Sequence, residues 1–108
     1  MLTYIDAIPA KAHIRHDEAL NVLGGVANDA QTVVTADISV WGRALESWEP
    51  LVTQRVEIQT NEHKHLYFTL GPECFCEDRW GGDIEEIELI ISDHEPEREH
   101  TGVMVFVE

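Results

Sequence analysis

The chain is poor in basic residues, cysteine and motif signatures. Only seven Lys and Arg occur among 108 residues. That scarcity argues against a direct nucleic-acid ligand, because phosphate binding needs clustered Lys and Arg. An anionic membrane surface is disfavoured for the same reason. The two cysteines, Cys74 and Cys76, are one residue apart and too few for a disulfide framework. No apolar run approaches the roughly 20 residues that span a bilayer. The first residues lack the basic start and apolar stretch of a signal peptide, and Asp6 interrupts them early. The expected compartment is therefore the cytoplasm. There is no G-x-S-x-G, no Walker loop and no G-x-G-x-x-G, so the sequence points away from an enzyme and from a bound cofactor.

What is abundant is carboxylate. The 21 Asp and Glu give a formal net charge of −14. The excess is uneven: residues 1–54 carry seven acids and three bases, residues 55–108 fourteen acids and four bases. Such a field favours a cationic partner and steers its approach. The hydrophobic fraction, 44%, is ordinary for a folded protein. The length suits one domain spanning residues 1–108, large enough for a core without staples.

Alternation of apolar and polar residues predicts strands over 32–41, 51–60, 64–70 and 84–92, with a short edge strand at 2–8 ended by Pro9. In 32–41, Val34, Ala36, Ile38 and Val40 face one way. In 84–92, Ile87, Leu89 and Ile91 point inward, with Glu86 and Glu88 outward. Residues 74–80 read as a segment pairing back across the Gly71-Pro72-Glu73 turn. Residues 103–107, apolar on both faces, read as a buried strand. A helix is expected from Ala10 or Asp17 to Leu23, because Ala19, Leu20, Leu23, Val26, Ala27 and Ala30 follow helical spacing around the break at Gly24-Gly25. The expected fold class is α+β: five or six mainly antiparallel strands, as a sandwich or open barrel, with one N-terminal helix.

Three clusters carry potential chemistry. Glu77, Asp78, Asp83, Glu85, Glu86, Glu88, Asp93, Glu95 and Glu97, around Trp80, form the densest acidic stretch. An aromatic among carboxylates suits an Arg- or Lys-rich protein surface. His63 and His65 share a strand face, as Cys74 and Cys76 would. Two imidazoles and two thiolates make a chemically sensible zinc set, although the spacing matches no usual pattern. Their bland reading is exposed histidines and small half-buried thiols. Trp41, Trp48 and Trp80 read as at least half buried. The leading expectation is a binding inhibitor that covers a basic protein surface, as an immunity protein covers the active site of a nuclease toxin. The alternatives are a metal- or ligand-binding β-domain using the His/Cys set, and a structural subunit of a phage or secretion assembly.

Overall fold

The computed structural model describes residues 2–108, the side chains of residues 5 and 6 apart. It is mostly β-sheet, with two sheets and one short helix. The strands are β1 (Leu2–Pro9), β2 (His13–Ile14), β3 (Leu20–Asn28), β4 (Val34–Arg43), β5 (Glu49–Ile58), β6 (His63–Leu70), β7 (Glu86–Ser92) and β8 (Val103–Val107). One sheet has the order β1-β3-β6, the other β2-β8-β7-β4-β5. All pairings are antiparallel except the short β2–β8 ladder. The chain crosses from one sheet to the other at each of the first three connections and again before and after β6, while β4–β5 and β7–β8 stay within the larger sheet.

The period-two expectations for the middle of the chain hold. Ile38, Val40, Val56, Ile58, Leu66, Phe68, Leu70, Ile87, Leu89 and Ile91 all lie in the buried core between the sheets. Thr53, Arg55, Glu57 and Gln59 are exposed. Residues 2–9 form the predicted edge strand.

The N-terminal helix does not exist. Residues 20–28 are β3, central in its sheet. Leu20, Val22 and Val26 face the core, while Ala19 is exposed and Leu23 and Ala27 lie half-buried. Gly24 breaks the apolar period for a packing reason, not a helical one. A Cβ there would collide with Ile91 Cδ1, so the absent side chain lets the two sheets approach.

Among the described residues the one α-helix is α1 (Glu77–Trp80), a single turn between β6 and β7. It occupies part of the segment expected to pair as a strand. Gly81 ends it at φ 75°, a left-handed position that glycine takes without a Cβ penalty, and its N–H donates to Glu77 O at 2.8 Å. A 3₁₀ turn over Pro72–Cys74 precedes it.

The last strand is buried on one face only. Val105 and Val107 are in the core, but Met104 and Phe106 are exposed, and His13 stacks on Phe106 at 5.1 Å between ring centroids. No described helix is long and apolar enough to cross a membrane.

Register fixes the two ends of the sandwich. Leu2 pairs with Asn28, Val34 with Ile58 and Ala27 with His63, which places the turns at 29–33 and 59–62 at one end. The buried Asn28 pins that end. Its side-chain amide donates to the carbonyls of Thr32 (3.0 Å), Ile58 (3.1 Å) and Gln59 (3.3 Å), and its Oδ1 accepts from Ala30 N–H (2.9 Å). The opposite end gathers residues 10–19, 44–48, 71–85 and the C-terminus.

Candidate functional site

That opposite end is where carboxylates collect. Arg79 donates to Pro50 O (2.8 Å) and pairs with Glu49 (3.5 Å), joining α1 to the β4–β5 hairpin. His16 bonds Ile84 O at 3.2 Å, and Val107 N–H donates to Glu85 O at 2.8 Å. These contacts bring Glu77, Asp78, Asp83, Glu85 and Glu86, all exposed, together with Asp17, Glu46, Glu49 and Glu108. Glu77 and Asp78 sit in the first turn of α1, where exposed N–H groups favour negative charge. Glu18 is also here. Its hydrogen bond from the Lys11 ammonium, then that from Arg15 N–H, hold its carboxyl below the ordinary range.

The other sequence-predicted residues fall elsewhere. Trp80 is buried, and its indole N–H donates to Cys74 O at 2.9 Å. It supports the loop rather than presenting an aromatic surface. Asp93, Glu95 and Glu97 lie on the long connection after β7, with Asp93 bonded to His94 at 2.8 Å. Glu88 is engaged inside the molecule. Its Oε1 accepts from Arg43 Nη2 (2.9 Å) and Nε (3.2 Å), and its Oε2 accepts from Gly102 N–H (3.0 Å).

Arg43 is a hub that sequence reasoning missed. Besides Glu88 it donates to the carbonyls of Arg98 (2.6 Å) and His100 (2.9 Å), and its guanidinium lies 4.4 Å from the Trp48 ring centre. Trp48 in turn donates to Glu97 O at 3.3 Å. Together they tie the 93–102 connection to the outer face of the larger sheet. Arg43 and Glu88 are 45 positions apart, and only their cross-strand register, Arg43↔Glu88, makes them neighbours.

The His/Cys set is not assembled. His63 and His65 are exposed on β6, pointing away from the core. Cys74 is buried, with its thiol directed at Leu51 O (3.9 Å), and Cys76 bonds Glu73 O (3.2 Å). Burial, then the Glu73 charge, raise the Cys74 thiol pKa, which suits a core side chain more than a thiolate ligand. Among the described residues no group of three or more His, Cys, Asp or Glu is placed to hold a metal ion.

Tyr4 is the other residue the sequence did not flag. Its hydroxyl is shielded from solvent and stands beside Asp93, without a hydrogen bond of ordinary geometry among the described residues. Burial, then the Asp93 carboxylate, push the phenol well above its ordinary pKa. A raised phenol stabilises the fold below the ordinary value of about 10 and loses that contribution as pH climbs beyond it. The melting temperature should therefore fall more steeply from pH 10 to 12 in the wild type than in Tyr4→Phe. Parallel slopes would show that the hydroxyl is not held as described.

No protein-family model and no curated protein sequence matches the chain. Solved structures do. A β-glucosidase from Erythrobacter marinus is similar at 18% identity and TM-score 0.75, over 100% of this chain and 15% of its own. A β-glucosidase involved in saponin metabolism from intestinal bacteria is similar at 17% identity and TM-score 0.75, over 100% of this chain and 16% of its own. The β-glucosidase from Listeria innocua in complex with gluconolactone gives 16% identity and TM-score 0.70, over 98% of this chain and 16% of that one. The likeness is one of fold, and this chain spans only about one-sixth of the length of those chains.

Proposed function

We propose that the protein is a non-catalytic binding module whose carboxylate-rich end docks on a basic surface of a partner protein. The observation that supports this reading is the convergence of α1, the 81–86 segment and the β4–β5 hairpin, which puts exposed Glu77, Asp78, Asp83, Glu85, Glu86 and Glu46, with half-buried Glu49, at one end of the sandwich. A nuclease active site is a fitting partner, because it attracts phosphate with clustered cations. An immunity-type inhibitor of a nuclease toxin is the form of this function that the charge favours. Glu88 takes no part, since Arg43 and Gly102 occupy it.

The test is partner capture from the source cell at low and high salt, followed by association kinetics with the captured protein. The quadruple reversal Glu77→Lys, Asp78→Lys, Glu85→Lys, Glu86→Lys should slow association by about tenfold or more at low ionic strength and flatten its salt dependence. An unchanged rate and salt slope would remove the reading.

A second reading rests on the fold likeness. The same sandwich forms about one-sixth of several β-glucosidase chains, so this chain could serve as an accessory domain beside a glycosidase-type catalytic protein. A stoichiometric complex with such an enzyme, insensitive to the quadruple reversal, would favour it.

A further inference from the structure

The ladder between β7 and β8 is short. It covers Glu86 to Leu89 and stops at the pair Leu89↔Val103. On its other side β7 continues to pair with β4 as far as Ser92. The connection leaving Ser92 reaches the outer face at Arg43 and Trp48 before it returns at Gly102. On the β8 side no strand pairs with Ile91, the residue of this stretch that turns its main-chain N–H and C=O that way, while Ile90 and Ser92 turn theirs to β4.

A cavity of about 780 Å³ lies at that edge, within the size range of binding sites. Leu89, Ile90, Ile91 and Ser92 all line it. Successive residues of a strand point to opposite faces, so a cavity touching four in a row lies along the strand's edge. The start of β1, Leu2 to Tyr4, forms the facing wall, and Glu97, His100 and Thr101 form the rim. The Tyr4 hydroxyl, beside Asp93, is a buried polar atom of this wall without a hydrogen bond of ordinary geometry among the described residues.

We propose that this cleft takes an extended peptide segment of a partner protein, which adds as a short strand against Ile90–Ser92 and carries a basic side chain toward Glu97. Strand addition supplies the main-chain N–H and C=O groups that a sheet edge lacks, and alternate side chains give the selectivity. One set would meet the apolar wall of Leu2, Ala7 and Ile91, the other the polar rim. A small apolar molecule would fill the space but leave the edge unpaired, at a cost for each buried group. The chain's net charge of −14 favours a cationic segment over an anionic one. Tyr4, kept neutral, donates its proton to a carbonyl of the incoming strand. The cleft lies toward the sandwich end away from α1 and does not depend on the function proposed above.

The probe is a capped seven-residue peptide of alternating valine and lysine, titrated into the full chain and followed by amide NMR. Shifts are expected at Ile90, Ile91 and Ser92, with slowed hydrogen exchange at Ile91, whose main-chain groups face the β8 side. Tyr4→Phe should weaken binding about three- to tenfold, the loss of one hydrogen bond. The same peptide N-methylated on alternate residues should lose binding, since it keeps the side chains but not the donors. A valine–glutamate peptide should bind more weakly than the lysine one. Glu77→Lys with Asp78→Lys should leave the set of residues that shift unchanged. Equal affinity of the N-methylated peptide, shifts confined to residues 77–86, or no shifts at millimolar peptide would each overturn the proposal.

Discussion

Phe75→Ala is expected to destabilise the fold by about 3–5 kcal/mol, the range for removing a buried aromatic and leaving a cavity. Phe75 is fully buried, although it belongs to no strand. It follows the 3₁₀ turn after β6, where its N–H donates to Pro72 O and Trp80 bonds the carbonyl of Cys74. The backbone around it is therefore held, and the ring has little room to be replaced by local collapse. In a domain of this size each kcal/mol moves the melting temperature by about 4–8 °C. A fall of about 15–30 °C in calorimetry is the corresponding result. A drop of only a few degrees would mean that the segment closes over the gap and that Phe75 is not a keystone of this end.

Arg43→Ala is expected to cost about 2–4 kcal/mol. The side chains of Arg43 and Glu88 are 14% and 18% exposed, so this is a largely desolvated pair. Removing one partner strands the other, which is more damaging than the pair is stabilising. The expected value lies at the low side of that for fully buried pairs, because some solvent remains. The alanine also withdraws the donors to Arg98 O and His100 O and the cation above Trp48. Two measurements check this. Chemical denaturation gives the stability loss, and limited proteolysis should show cleavage within 93–102 that the wild type resists. The double variant Arg43→Met with Glu88→Leu should recover part of the loss. Full additivity of the two single variants would show that the two side chains do not act as a pair.

Much of the strand content was legible because half-buried strands alternate. Ile87, Leu89 and Ile91 against Glu86 and Glu88 display that directly, and both sheets' inner faces follow it. The region 19–30 misled for a definite reason. The inward set of β3 is Leu20, Val22, Gly24 and Val26, whose third member has no side chain. Leu23 and Ala27 on its outer face then complete an apparent helical spacing. The segment 74–80 was expected to pair back across the Gly71-Pro72-Glu73 turn, yet Phe75 and Trp80 are both buried as plugs within a tight turn rather than along one pleat. Met104 and Phe106 misled in the opposite sense, apolar but facing outward.

The candidate sites were legible in composition but not in arrangement. A run of acids from 73 to 99 reads as one patch, whereas β7 carries Glu86 at its start and delivers Asp93 beyond its far end. Glu88 could not be separated from its neighbours without knowing that Arg43 lies opposite it. The edge at Ile90–Ser92 depends on where β8 stops, and no local pattern in the sequence encodes that.

The body measures 45 × 25 × 18 Å along its principal axes, with exposed carboxylates crowding the tip that holds α1. Charge placed off-centre on an elongated particle gives it a lever arm in an external field. A cationic surface would then exert a torque on the molecule as well as a pull, turning it tip-first before contact. At physiological salt, screening confines that turning to roughly the last 8 Å of approach.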